Sequence, residues 1–359
     1  MNKVEDHCIF VTGGAGFIGS ALIRELLRST KDHVVNIDSL TYAGNLETLS
    51  DVAHHGRYDF SHTDIRDQET LRELFAKHQP SAVMHLAAES HVDRSIDGPG
   101  VFLETNVMGT YTLLQAVREY FETLNSVRST DFRFHHVSTD EVYGALGSEG
   151  VFTESSPYQP RSPYAASKAA SDHLVRAWAE TYGIPSAISN CSNNYGPYQY
   201  PEKLIPMVIG KALHDESIPV YGSGSNVRDW LYVDDHARAL LLILKKGLSG
   251  RTYNVGGAAE KTNLSVVQAI CHCLDQQQPR KDGDSYANLI SFVPDRPGHD
   301  FRYAIDSTRI QDELGWQPRE TFSSGLEKTV QWYLEHQDWV TAVLGTQYYG
   351  QRLGLRGAA

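Results

Sequence analysis

Five side chains able to do acid–base chemistry fall in two short runs of the 359-residue sequence. The first run is Val137-Ser138-Thr139-Asp140-Glu141-Val142-Tyr143-Gly144, where an apolar stretch from Phe132 to Val137 ends in hydroxyls and two adjacent carboxylates. The second is Tyr164-Ala165-Ala166-Ser167-Lys168, which puts a phenol and an ammonium four apart on one helical face. A free tyrosine has a pKa of about 10, too high for a base at neutral pH. A neighbouring ammonium, helped by the positive ring of an oxidised nicotinamide, favours the phenolate and is expected to lower that value. Such a pair can take the proton of a secondary alcohol while hydride leaves the same carbon. Tyr and Lys at this spacing are common, so the elements around them have to supply the context.

Those elements start with a short apolar strand, Cys8 to Thr12, followed at once by Gly13-Gly14-Ala15-Gly16-Phe17-Ile18-Gly19. Ile18, Leu22, Ile23, Leu26 and Leu27 then recur at helical spacing. Glycine is required there for a tight turn, for close approach of backbone to a pyrophosphate and for close packing of helix on strand. The helix N-terminus offers its N–H groups to the anion. A second strand, His33 to Ile37, runs into Asp38, whose carboxylate suits a ribose 2′-hydroxyl and repels a 2′-phosphate, favouring NAD over NADP.

The alternation continues with a strand at Tyr58 to His62 leading to Asp64-Ile65, a helix at Gln68 to His78, and a strand at Ala82 to Leu86. A long helix is expected from Val101 to Phe121, then the Phe132 strand, the Tyr164 helix and a strand near Ser186 to Asn190. Strands alternating with helices predict an α/β fold with a doubly wound parallel sheet of the Rossmann type. Ligands of such sheets sit beyond the strands' carboxyl ends, where Gly13, Asp38, Asp64, Ala87, Thr139 and Asn193 all fall. After Asn190 the rhythm breaks. Ser192 to Tyr198 reads as a turn-rich loop, Asp282 to Asn288 as a polar surface loop, and Leu204 to Leu213, Asp235 to Leu244, Val266 to Leu274 and Ser323 to Leu334 as helices. This remainder predicts a smaller, mixed α/β substrate lobe.

Composition excludes several functions. A net charge of −12 argues against nucleic acid and anionic membranes as partners. No apolar run nears the ~18 residues of a spanning helix. The charged stretch Met1 to His7 shows no signal-peptide pattern, and a cytoplasmic location is expected. Cys8, Cys191, Cys271 and Cys273 are too scattered for a disulfide framework. Cys271-His272-Cys273 has no second ligand pair at zinc spacing, so it reads as part of an amphipathic helix, and no metal is expected.

Taken in order, the glycine motif, Asp38, the Leu86-Ala87-Ala88 turn, Thr139, Tyr164 and Lys168 resemble the extended short-chain dehydrogenase/reductases over nearly the whole chain. Within that family the chain is similar to the nucleotide-sugar 4,6-dehydratases. The segments that carry this are Ala87 to Ser95, Ser138 to Gly144, Asn190 to Tyr198, Arg228-Asp229-Trp230 and Asp295 to Asp300. The resemblance implies a tightly held NAD, regenerated each turnover, among Gly13, Gly16, Phe17, Ile18, Gly19, Asp38, Ser39, Leu40, Thr41, Asp64, Ile65, Leu86, Ala87, Ala88, Ser90, Thr105, Tyr164, Lys168 and Asn194. For the substrate it implies Ser90, His91, Thr139, Asn193, Glu202, Lys203, Leu204, Pro219, Tyr221, Arg228, Asn263, Asp295, Arg296, His299 and Tyr303. Arg228 and Arg296 are the candidates for its pyrophosphate, since guanidinium forks match phosphate oxygens.

The adjacent carboxyls discriminate among family members. Removing water across carbons 5 and 6 of a hexose requires an acidic proton on carbon 5, which oxidation at carbon 4 creates. One carboxylate then takes that proton while a protonated acid serves the departing hydroxyl. By resemblance Glu141 is that base and Asp140 the acid, Tyr164 is the base at the carbon-4 hydroxyl, Thr139 hydrogen-bonds beside it, and Lys168 orients ribose. A 4-epimerase would share Tyr164 and Lys168 without using Asp140 and Glu141. A decarboxylating relative would want one acid and a cation, and a cofactor-binding sensor would lack the Tyr–Lys pair. Residue chemistry leaves thymidine and uridine nucleotides open; whole-chain resemblance favours thymidine. It also implies a cofactor domain at 1–195 with 230–255 returning to it, a nucleotide-sugar lobe at 196–229 and 256–359, and a homodimer joined through the Val101 and Tyr164 helices.

Overall fold

The fold was analysed in a computed structural model, which describes residues 7–295 and 298–344. The first six strands are β1 (Cys8–Thr12), β2 (His33–Asp38), β3 (Tyr58–His62), β4 (Ala82–His85), β5 (Arg133–Thr139) and β6 (Ser186–Cys191). Beyond them run β7 (Asn193–Tyr195), β8 (Ile218–Tyr221), β9 (Val227–Tyr232), β10 (Thr252–Val255), β11 (Glu260–Thr262) and β12 (Ile290–Val293).

Seven strands form one sheet in the order β3-β2-β1-β4-β5-β6-β10, with every neighbouring pair parallel. Helices cover both faces, so the strands are apolar on both sides. Along β1 the side chains alternate: Ile9 and Val11 pack with Leu22, Leu26, Met84 and Leu240. Phe10 points the other way, toward Leu71, Phe75, Val83, Leu113, Val117 and Phe134. Chain order reverses between β1 and β4, and this switch point opens a crevice at the strands' carboxyl ends.

Two elements differ from the sequence reading. The helix expected from Val101 to Phe121 is present as one continuous run from Pro99 to Glu122, but a π-helical stretch, Leu103–Gly109, lies between the α-helical Pro99–Phe102 and Thr110–Glu122. Inside the wide turn, the buried Asn106 side chain accepts the Glu89 N–H at 2.8 Å and donates to the Glu89 carbonyl at 3.0 Å and to Ser167 Oγ at 2.9 Å. Those bonds tie the helix to the end of β4 and to the Tyr164 helix, a use typical of π-bulges near functional sites. The segment read as a loop from Ser192 contains β7, which pairs parallel with β9. A polar three-residue strand carries too little pattern to separate from a turn.

The second half of the chain has its own core of Ile205, Val208, Ile218, Val220, Trp230, Val266, Ile270, Leu326 and Val330. Around it lie a small β11-β9-β7 sheet and a β12-β8 parallel pair. Cys271 and Cys273 are buried in that core as thiols, and His272 faces outward to Gln276. The expected loop at Asp282 to Asn288 runs into a short 3-10 turn, Tyr286–Leu289.

Candidate active site

The glycine turn is held where only glycine fits. Gly13 has φ of +72°, and a Cβ there would sit 2.7 Å from the backbone of Ala87. A Cβ on Gly19 would lie 2.2 Å from the Gly13 carbonyl oxygen. The Phe17–Ser29 helix therefore starts hard against the end of β1, and no side chain caps its N-terminus. Its first N–H groups and the bare glycine surface face the crevice, a cradle that fits a pyrophosphate. At the end of β2 the Asp38 carboxylate accepts the Ala15 N–H at 2.9 Å and the Leu40 N–H at 2.8 Å. Burial raises the Asp38 pKa while those two N–H groups oppose the rise. Leu40 bends through positive φ to make its bond and does not itself line the crevice.

One continuous cleft brings together Gly13, Gly16, Phe17, Ile18, Gly19, Asp38, Ser39, Thr41, Asp64, Ile65, Leu86, Ala87, Ala88, Ser90, Thr105 and Asn194. The same cleft is lined by Thr139, Asp140, Glu141, Tyr164, Lys168, Asn193, Glu202 and Lys203. A dinucleotide and a sugar would thus share one enclosure, and the donor set fits NAD: glycine backbone for phosphates, Asp38 for a ribose, and Tyr164 with Lys168 at the far end.

At that end, β5 stops in Ser138 and Thr139, and Thr139 Oγ1 accepts the Glu141 N–H at 3.2 Å, starting a 3-10 turn over Asp140–Tyr143. Successive positions of this turn send the two acids to different surroundings. Asp140 is 2% exposed, and its Oδ2 has no hydrogen-bond partner among the described residues. Burial, then the nearby Glu141 and Asp229, push its carboxyl well above the ordinary range, against the pull of Arg228 and Thr139. That direction favours the protonated form of Asp140. Glu141 is half-buried at the cleft wall.

Tyr164 opens the Pro163–Tyr182 helix, whose N-terminus is capped by Ser162 Oγ on the Ala165 N–H. Its ring packs edge-on to Phe102. The expected lowering of its pKa by Lys168 is not what these side chains produce. Burial, then the nearby Glu141, hold the phenol well above its ordinary value, with the Thr139 hydroxyl acting the other way. Lys168 Nζ is turned toward β5, where it donates to the Val137 carbonyl at 2.9 Å.

Several residues at the cleft carry no spacing signal in the sequence. Tyr42, Arg66, Glu89, Cys191, Gln199 and Tyr200 line it because separate loops converge there. Glu202, expected to meet substrate, accepts from Arg94 Nε at 3.0 Å, and that guanidinium lies 4.1 Å over the Tyr42 ring. Arg94 follows the Ser90-His91 segment, but nothing in its spacing announces this bridge.

The remaining substrate candidates lie outside the cleft. His91 caps the Val92–Asp97 helix, and Leu204 and Asn263 begin the Leu204–Leu213 and Asn263–Gln277 helices. Pro219 and Tyr221 belong to β8, and His299 Nδ1 is 2.7 Å from Asp295 Oδ1 while its ring meets Tyr221 edge-on. Buried Arg228 donates to the Asp300 and Val227 carbonyls at 3.0 and 2.8 Å and stacks 4.4 Å over the Tyr303 ring. Tyr303 donates to Asp300 Oδ2 at 2.5 Å and senses the charge of Glu141, which links this cluster to the strand end. Arg296 lies outside the described residues. At the opposite end of the sheet His33, Asp59 and His78 are ligand types within 4.8 Å of one another, a grouping the sequence reading did not contain.

The profile of a family described as GDP-mannose 4,6 dehydratase matches residues 10–329. The dTDP-glucose 4,6-dehydratase of Neisseria meningitidis serogroup B is 57% identical over 349 residues, 96% of this chain and 98% of its own. A solved dTDP-glucose 4,6-dehydratase from Streptomyces venezuelae, with NAD bound, superposes with a TM-score of 0.86 at 45% identity, covering 94% of this chain and 99% of its own. A UDP-glucose 4-epimerase from Thermotoga maritima, solved with UDP-glucose, gives a TM-score of 0.80 at 28% identity, covering 92% and 99%. Fold similarity therefore extends to epimerases, while the high identity lies with dehydratases.

Proposed function

The chain belongs to the GDP-mannose 4,6 dehydratase family of extended short-chain dehydrogenase/reductases, and from that premise we propose that it converts dTDP-glucose to dTDP-4-keto-6-deoxyglucose and water. The reaction comprises oxidation at carbon 4, elimination across carbons 5 and 6, and hydride return to carbon 6. This makes the protein a hydro-lyase that uses NAD without net consumption. Bound NAD supplies a reversible hydride acceptor.

The residues divide the proton work. Tyr164 receives the proton of the carbon-4 hydroxyl, with Thr139 beside it to hydrogen-bond the same oxygen. Its raised pKa makes it a strong base once ionised. Glu141, at the cleft wall, takes the carbon-5 proton made acidic by the neighbouring ketone. Asp140 gives its proton to the carbon-6 hydroxyl, which leaves as water.

The observation that carries this reading is the split between two adjacent carboxyls that both line the cleft: Asp140 buried and raised well above the ordinary carboxyl range, Glu141 only half-buried. An epimerase has no task for that split. Arg228, Tyr221, Asn263, Asp295 and His299, together with Arg296, are proposed to form the nucleotide end of the substrate site.

A homodimer is proposed as well. Leu103, Met108 and Tyr111 on one helix and Tyr182 on its neighbour leave apolar surface exposed on the face shared by the two helices. No helix among the described residues is long and apolar enough to cross a membrane, and a cytoplasmic location is proposed.

The test uses dTDP-glucose carrying deuterium at carbon 4, with the product followed by NMR. Deuterium on carbon 6 of a 4-keto-6-deoxy sugar, with no net NADH, is the expected result. Recovery of dTDP-galactose would overturn the proposal in favour of epimerisation, and turnover of UDP-glucose alone would overturn the choice of nucleotide.

A further inference from the structure

Behind the reactive face of the Pro163–Tyr182 helix lies a buried polar chain that the proposed reaction does not use. Tyr164, Lys168, Asp172 and Arg176 follow at four-residue spacing along the side of the helix that meets β5. Asp172 and His136 are both 0% exposed and Lys168 is 4% exposed. His136 Nε2 stands 3.1 Å from Asp172 Oδ1 and 3.4 Å from Lys168 Nζ, so one imidazole nitrogen touches both charged groups. The other carboxylate oxygen of Asp172 accepts from Ser138 Oγ at 2.9 Å and Tyr158 Oη at 2.8 Å. Arg176 in turn donates to Tyr158 Oη at 2.8 Å.

We infer that Asp172 is a positioning residue for the reaction, the buried counter-ion that keeps the Lys168 ammonium charged at the cleft wall, acting across His136. The inference rests on Lys168 having a task in the cleft.

An ammonium in a dry interior tends to shed its proton, and a fully buried lysine can titrate several units below its ordinary value. Burial does push Lys168 down, and the charge that chiefly resists is Asp172, while Cys191 of β6, pushed up to about 12, is a neutral thiol. Asp172 can supply that field because it stays ionised: His136, Lys168 and Ser138 hold its carboxyl below the ordinary range in spite of burial. His136 is pushed down to about 4 and is a neutral imidazole, able to turn its Nε2 toward either neighbour by tautomer. His85 on β4, 5.1 Å from the His136 ring, is also held neutral, with its two nitrogens on Thr12 and Thr110. Tyr143 and Tyr158 are phenols pushed upward and therefore uncharged. The groups facing the pair from neighbouring elements thus leave Lys168, Asp172 and Arg176 as the ionised members. A lone buried carboxylate would be costly, and one that accepts two hydrogen bonds at Oδ2 and faces His136 and an ammonium is an arrangement that holds charge in place.

The experiment is Asp172→Asn in the full-length, NAD-loaded protein, reading kcat for 4-keto sugar formation against pH. Loss of the counter-ion lets Lys168 discharge at lower pH, so the alkaline limb should move down by about one pH unit or more while activity on the acid side is retained. A profile lowered by the same factor at every pH would mean that Asp172 only holds Ser138 and Tyr158, and would overturn the inference. A thermal-unfolding cycle with Lys168→Met needs no substrate, so it separates this inference from the proposed reaction. Asp172→Asn should lower Tm markedly beside Lys168 and much less beside Met, including the case where the single variant does not fold and the double variant does. Equal Tm losses in both backgrounds, or failure of both to fold, would overturn it.

Discussion

Replacing Asp140 by Asn is the sharpest test of the division of labour at the end of β5. The amide has nearly the same shape and can still accept from Thr139 Oγ1, which lies 3.3 Å from Asp140 Oδ1. It cannot give up a proton. General acid catalysis of this kind contributes roughly 10² to 10⁴ in rate, so dehydration should fall by about that factor while the first oxidation survives. The stability effect has the opposite sign. In the folded protein the Asp140 carboxyl is raised well above its unfolded value by burial, Glu141 and Asp229. The folded state therefore binds more protons, and wild-type stability falls as pH rises from the unfolded pKa toward the folded one. Each pH unit in that window removes about 1.4 kcal/mol that the amide retains. The variant should thus be the more thermostable protein at neutral pH and the slower enzyme. Single-turnover nicotinamide absorbance with dTDP-glucose, together with calorimetry at acid and neutral pH, checks both halves. Undiminished dehydration would refute the acid assignment, and a neutral-pH Tm below wild type would refute the electrostatic reasoning.

Glu141→Gln should slow elimination by roughly 10² to 10⁴ and leave the carbon-4 oxidation in place; NMR in deuterated solvent should show no label entering carbon 5, and wild-type labelling would remove Glu141 as the base. Tyr164→Phe should abolish even the first step, so NADH formation in a single turnover at the wild-type rate would exclude the phenol. Gly13→Ala forces a side chain into positive φ against the Ala87 backbone; it should cost about 2 kcal/mol or more and lose NAD on purification, and a protein with unchanged Tm and cofactor content would contradict the cradle.

Much of the cofactor end was legible in the residues because its requirements are local. A glycine at Gly13 answers to a positive φ and a close approach within one turn, and Asp38 follows from the length of one strand–helix–strand unit. The parallel order of the sheet was implied by alternating elements, each with its own period. The acids and the Tyr–Lys pair could likewise be read, since a strand end and a helical spacing define them. What the tertiary structure alone decided are quantities set by neighbours distant in the chain. Burial, then Glu141 and Asp229, raises the Asp140 carboxyl, and Tyr164 is pushed up by burial that no spacing reveals. The π-helical stretch in the Val101 helix holds Asn106, which bonds to Glu89 and Ser167. The clamp of Arg94 on Glu202 and Tyr42, and the Lys168–His136–Asp172 chain, join residues whose partners lie on other elements. Backbone conformation is encoded over a few residues, whereas protonation state and ion pairing depend on which elements the fold stacks together, and that information exists only once the core has closed.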